Sequence, residues 1–170
     1  MSYTVAVDLS TIGIMVGIAF ETISGTRPSE KYYNLQNPKS IPDMNPEPDT
    51  IDTTSLNAKK YKTSIPGLQD LSGAQGFTFQ MSQVLIDTWN NICDQWDVNK
   101  SKGLRPWMEI YHPDLRKAWF IPIEPSRLGV PSAEVNSSWD ATVNVTITGE
   151  IEIGDAVVPS EEDFPAPSRV

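Results

Sequence analysis

The sequence contains one cysteine, Cys93, and one histidine, His112. A lone cysteine can neither close an intramolecular disulfide nor build a cysteine-based zinc site. No stretch approaches the ~20 apolar residues of a helical membrane span, and no membrane partner is expected. Met1 to Phe20 lacks a basic leader, and Asp8, Ser10 and Thr11 break its apolar character, so it does not read as a signal peptide. The sequons at Asn136 and Asn144 then read as coincidental. Basic residues are scarce, 13 against 22 acidic, for a formal charge of −9. Such a surface repels a nucleic-acid backbone and argues against binding through basic patches. Solubility alone accounts for the acidity; a sharper reading is a surface that lies beside DNA without holding it.

Catalytic constellations are missing as well. There is no G-x-S-x-G elbow, no Gly-rich phosphate loop and no H-E-x-x-H helix. His112 precedes Pro113 in an expected turn, with no nucleophile motif beside it. Glu150 and Glu152 share a strand face, as any solvated strand allows. Asp43, Glu47, Asp49 and Asp52 lack the register and glycine of an EF-hand loop, so no metal or other cofactor is expected. The chain is not read as an enzyme. Five tryptophans could form a sugar-binding platform, but aromatic rings in a β core are the commoner case.

What is present is alternation. Ile12, Ile14, Val16, Ile18 and Phe20 alternate with Gly13, Met15, Gly17 and Ala19, which predicts a strand with a close neighbour on its small-residue face. Tyr3 to Val7 is a second short candidate. Phe77, Phe79 and Met81 alternate with Thr78, Gln80 and Ser82. Trp107 to Tyr111 and Ala118 to Ile123 are further strands, the latter confined to an edge or an end by Pro122 and Pro125. Val143, Val145, Ile147, Ile151 and Ile153 form one face of a long strand, bent at Gly149. Leu85, Trp89, Ile92, Cys93 and Trp96 instead recur at helical spacing, predicting a helix over about 83–98 with Ser82 as N-cap and Cys93 as a buried apolar residue.

Fourteen prolines and ten glycines imply much loop. Ser24 to Thr50, with five of those prolines, is a poor candidate for regular structure, and the long loop extends over about 24–74. After Gly154 the chain is acidic and proline-rich and reads as an arm over 155–170. The expectation is a mainly β domain over 1–154, a β-sandwich or open barrel with one packed α-helix, a long loop and extended N- and C-terminal arms.

The loop carries the most specific phrase. It runs Lys39-Ser40-Ile41-Pro42, then Glu47-Pro48-Asp49-Thr50-Ile51-Asp52-Thr53-Thr54-Ser55-Leu56, then Tyr61-Lys62-Thr63-Ser64-Ile65-Pro66-Gly67-Leu68-Gln69-Asp70. This resembles the major tail tube proteins of long-tailed, siphovirus-like bacteriophages. There an I-P segment leads to E-x-I-D-x-T-x-L and then to Y-I-P-G-L-x-D. Here Lys62, Thr63 and Ser64 separate the tyrosine from I-P-G-L. The match covers Lys39 to Phe79; elsewhere only the order of elements agrees.

The residues support a docking role independently. Pro66-Gly67 is a turn signal. Ile65 and Leu68 flank it in a polar loop, placed either to dock on a neighbour or to pin the loop to its own core. The resemblance implies a structural virion protein: hexameric rings stacked into a tail tube, the conduit for genome delivery. It implies inter-subunit contacts through Ile41, Ile51, Asp52, Thr53, Leu56, Tyr61, Ile65, Pro66 and Leu68, and a lumen facing Thr78, Gln80 and Ser82. Met1 to Asp8 and Asp155 to Val170 are weaker bridging candidates. Implied partners are further copies of the chain, a tape-measure protein, a tail terminator and distal tail or baseplate proteins. Double-stranded DNA passes transiently. The tail of a virion assembled in the host cytoplasm is the implied location. A head–tail joining or decoration protein, or a carbohydrate-binding β-sandwich, are the alternatives.

Overall fold

The computed structural model describes residues 9–71 and 73–165. Tyr3 to Val7 lies outside them. The described residues form strands β1 (Met15–Phe20), β2 (Tyr33–Leu35), β3 (Pro38–Ser40), β4 (Glu47–Asp52), β5 (Ser64–Asp70) and β6 (Ala74–Gln80), then helix α1 (Gln83–Asn99). Strands β7 (Pro106–Tyr111), β8 (Lys117–Pro125), β9 (Asp140–Ile147) and β10 (Glu152–Asp155) follow. Eight strands join in one antiparallel sheet, ordered β2-β1-β7-β8-β9-β6-β3, with β10 also paired to β8. Strands β4 and β5 form a separate hairpin. The architecture is mainly β, a half-barrel sheet with one packed helix, which is the open-barrel form of the two expected.

Strand β8 joins the two halves. Lys117 to Phe120 pairs with β10, Ile123 to Pro125 pairs with β9, and Trp107 to Ile110 of β7 lies along the opposite edge. Pro122 is therefore central, not at an edge. Its carbonyl accepts the Thr148 N–H at 3.0 Å. In an antiparallel strand a residue's N–H and C=O point to the same side. The missing N–H therefore faces the bend between β9 and β10, where the ladder is already interrupted. The expected bend falls at Gly149, where an added Cβ would lie 3.1 Å from the Pro122 ring.

Strand β1 begins at Met15, later than the alternation predicts. Gly13 turns the chain with φ +88°, which leaves Ile12 exposed. Val16 and Ile18 enter the main core. On the other face a Cβ on Gly17 would sit 3.0 Å from Tyr32 Cβ and 3.3 Å from Pro159 Cγ, so the close neighbours come from the same chain.

Helix α1 fills the concave side. Ser82 Oγ accepts the Leu85 N–H at 3.1 Å, the expected N-cap. Leu85, Trp89, Ile92 and Cys93 are buried against Phe77, Phe79, Met108, Ile121, Ile123, Val143 and Val145. Trp96, predicted in the same stripe, is half-exposed near the helix end. The segment Ser24 to Thr50 is more regular than its prolines imply. It contains β2, β3 and the start of β4, with Pro38 opening an edge strand and Pro48 on the free hairpin.

Ala156 to Pro165, expected as part of an arm, runs as a strap over the outer face of β1, β2 and β7. Ser160 bridges Tyr33 in parallel, donating to the Tyr32 carbonyl at 2.7 Å and accepting from the Asn34 N–H at 2.9 Å. Phe164 meets Phe20 and Tyr33 at ring separations of 6.0 and 5.2 Å.

Trp89 is fully buried and donates Nε1–H to the Ser126 carbonyl at 2.8 Å. Trp89→Ala is expected to cost about 3–5 kcal/mol in urea unfolding, combining a large cavity with an orphaned carbonyl.

Candidate assembly surfaces

Three surfaces of the molecule are not explained by its own core. The first is the β4–β5 hairpin. Glu47 pairs with Asp70 and Asp52 with Ser64, and the ladder continues through the Thr53 N–H to the Thr63 carbonyl at 2.9 Å. Thr54 Oγ1 accepts the Thr63 N–H at 2.9 Å. The Asp52 carboxylate accepts the Thr54 N–H at 2.8 Å, and hydrogen bonds from Thr54 hold its pKa below the ordinary value.

Pro66-Gly67 is not the turn its composition predicts. It lies inside β5, and the reversal occurs between Thr53 and Thr63. The register slips where Gly67 and Leu68 of β5 together oppose the single residue Asp49, and the Asp49 carbonyl lies 3.0 Å from a Cβ built on Gly67. Glycine is what that close approach requires.

Every residue of β4 is exposed. Ile51, Leu56, Tyr61, Ile65 and Leu68 are all solvent-facing, Leu68 at 86% and Tyr61 at 82%. The structure therefore gathers these five, with Asp52, Thr53 and Pro66, on one projecting element. Ile41 is separate, half-buried against the main core. A two-stranded hairpin is at best marginally stable alone in water. An isolated one with this much exposed apolar surface marks an interaction element.

The second surface is the outer face of β6 and β9. Thr78 pairs with Thr142, Gly76 with Asn144 and Gln80 with Asp140, while Ser40 of β3 pairs with Thr78. Phe77, Phe79, Val143 and Val145 point the other way, into the core. Hydroxyl and amide groups make up the centre of this face, and the charges of the Lys39–Asp140 pair, 2.8 Å apart, lie at its end. Ser82 does not share it, because its hydroxyl caps α1. Thr142, Asn144 and Thr146 alternate in sequence with the apolar Val143, Val145 and Ile147. Their partnership with β6 is a long-range pairing that alternation does not encode.

The third surface is a groove of about 410 Å³ at one end of the half-barrel. Ile41, Met44, Ile110, Trp119, Ile151 and Ile153 line it, with Asp43 at its rim. Ile153 pairs with Trp119, and both are exposed, at 66% and 41%. The apolar face expected to be buried along residues 143–153 thus opens to solvent at its far end.

The histidine is accounted for structurally. His112 is buried, its Nε2 lies 2.6 Å from the Ser10 carbonyl, and its Nδ1 accepts the Asp114 N–H at 3.1 Å. Among the described residues, no group of three or more His, Cys, Asp or Glu side chains is placed to hold a metal ion. Cys93 is buried, and burial pushes its thiol up to about 11. Glu21, also buried, accepts from Trp107 Nε1 at 2.7 Å, Arg105 Nε at 3.2 Å and the Gly25 N–H at 2.9 Å.

Glu109 is the exception among the buried acids. One oxygen accepts the Val157 N–H of the strap at 2.9 Å, and the other has no partner among the described residues. Burial pushes its pKa up to about 7, with the Val157 N–H and the Arg27 guanidinium pulling the other way.

An open half-barrel with a free hairpin defines a β protein whose apolar surface is incompletely covered by the described residues. No family model matches the sequence, and no curated protein matches it. Solved structures do match in fold. A chain of the sheath/tube terminator of an extracellular contractile injection system, PVC, is similar with a TM-score of 0.58 at 13% identity, over 89% of this chain and 99% of that one. A chain from the tail of an empty gene transfer agent particle, refined with C6 symmetry, gives 0.55 at 11% identity over 86% and 99%. A chain of the six-fold symmetrised anti-feeding prophage baseplate gives 0.54 at 12% identity over 91% and 98%. The protein shares its fold with components of phage-like tails and injection systems, a wider group than the siphovirus-like tails its loop phrase resembles.

Two outcomes follow from this geometry. Ile65→Ser with Leu68→Ser should change the urea-unfolding stability of the isolated chain by less than about 0.5 kcal/mol, because neither side chain is buried. Glu109 binds its proton more tightly folded, near pH 7, than unfolded, near 4.5. Its contribution is fully present below the lower value and is lost as pH rises through the upper one. Melting temperature measured from pH 5 to pH 7.5 should therefore fall more steeply in the native protein than in Glu109→Gln.

Proposed function

We propose that this chain is a tail tube subunit, assembling as hexameric rings that stack into the conduit for genome delivery. The observation that carries the reading is the β4–β5 hairpin, a separate two-stranded sheet with its apolar residues in solvent. It bears the loop phrase that resembles tail tube proteins, and it projects from a fold found in six-fold tail and baseplate assemblies. Its role is mechanical rather than enzymatic. Hairpins bridge adjacent rings through Ile51, Asp52, Thr53, Leu56, Tyr61, Ile65, Pro66 and Leu68, while Ile41 contributes from the body.

The uncharged face of Thr78, Gln80, Thr142 and Asn144 suits a bore. Its centre offers passing double-stranded DNA no cation to bind and no dense anionic wall, with the paired Lys39 and Asp140 at its end and Glu124 on its flank beside Thr146. Ring stacking is head-to-tail and open-ended, so length is set by other proteins. A tape-measure protein, a tail terminator and distal tail or baseplate proteins are the partners this requires, in a virion assembled in the host cytoplasm. A second reading, a ring that ends the tube, draws on the terminator and tube-cap assemblies among the structures of similar fold.

Negative-stain microscopy of concentrated protein distinguishes the two. A tube subunit gives hollow tubes of uniform width, and replacing residues 53–63 with a two-residue turn abolishes them while leaving a folded monomer. Rings that never stack favour the terminal position, and monomers under every condition count against both.

A further inference from the structure

The groove lined by Ile41, Ile110, Trp119 and Ile153 lacks an occupant among the described residues, and the hairpin tip lacks a site. No residue of the hairpin, 47–70, lines the groove of its own molecule. Yet the hairpin is rooted at its rim, since Pro42, Pro46 and Asp43 line the groove and Glu47 opens β4. Six residues of strand carry the chain roughly 20 Å from that root before the tip begins.

The tip and the groove are chemically complementary. Between Thr53 and Thr63 the chain has Leu56 and Tyr61, fully or largely exposed, with Lys59, Lys60 and Lys62 and no acidic residue. That is a concentration of positive charge in a chain of net charge −9. The groove is apolar, carries Asp43 at its rim, and has no lysine or arginine in its lining. We infer that the groove receives the hairpin tip of a second copy of this chain, Leu56 and Tyr61 entering the apolar floor and a lysine of the tip meeting Asp43, the one charged residue of the lining.

This rests on the tube reading and adds the receiving site to it. The contact is heterologous: each copy offers a tip and a groove, and filling one leaves the other free. Assembly then covers both apolar surfaces on every subunit except those at the ends.

Cross-linking between single-cysteine variants tests the contact. The native thiol, Cys93, is buried and stays silent. Tyr61→Cys and Ile153→Cys, both at exposed positions, are mixed and treated with a short flexible bismaleimide. The expected product is an inter-chain dimer in the mixture and none from either variant alone. In parallel, Ile153→Asp should raise the concentration needed for assembly about tenfold or more, because an unpaired carboxylate then faces an apolar partner, while its melting temperature stays at the native value. Tubes that assemble normally without the cross-link overturn the docking and leave the tube reading intact. Neither tubes nor cross-link overturns both. An intra-chain cross-link between Val5→Cys and Ile153→Cys in one molecule also overturns the proposal, because the groove is then filled by the chain's own N-terminal segment.

Discussion

Strand β8 has three partners along nine residues, and the half-barrel exists because it does. One edge is held by β7 along Trp119 to Pro122. The other changes hands midway, from β10 to β9, where the partner chain bends through Thr148 to Ile151. Proline is tolerated at this spot because the bend has already broken the ladder there, and glycine is needed opposite because the Pro122 ring occupies the space a Cβ would take. Two residues that usually weaken a sheet here fix the point where it turns. The inner faces of both halves then close on one helix, with Trp89 at the centre.

Coverage is uneven around this frame. The concave side is sealed by α1. The outer face of β1 and β7 is sealed by the strap, which buries Tyr32, Trp107 and Phe120 in a smaller second cluster and brings an amide to Glu109. The end of the half-barrel near Trp119 and the hairpin are not sealed by the described residues. A protein of this size can bury most of its apolar surface, so the open places are specific to position rather than a sign of a poor core. They lie at the root and tip of the same projecting element.

Local periodicity made much of this legible. The helix, its Ser82 cap, the strands around Trp107, Ala118 and Val143, and the bend at Gly149 all follow from spacing, because each reflects a neighbour a few residues away. What failed depended on distant partners. Pro122 reads as an edge residue until β9 and β10 are seen to divide one flank of β8 between them. Pro66-Gly67 reads as a turn until the bulge at Gly67-Leu68, tight against the Asp49 carbonyl, is seen to require the glycine. The proline-rich stretch before Thr50 hides three strands, because short edge and hairpin strands can hold prolines that a central ladder usually cannot. Residues 156–165 are acidic and proline-rich, yet they are ordered by a single bridge at Ser160, a buried amide and Phe164. The hairpin residues other than Ile41 lie together in sequence as they do in the fold, whereas the groove combines side chains from four distant segments and leaves no local trace.

The strap has a practical corollary. It ends with the Pro165 carbonyl held by Asn91 Nδ2 at 2.9 Å and Gln95 Nε2 at 2.5 Å, on the solvent-facing flank of α1. Pro165 is therefore held beside the helix. A tag, fluorophore or displayed antigen joined directly to Pro165 would start from a defined address beside the helix, spaced by the subunit repeat of whatever array the protein forms.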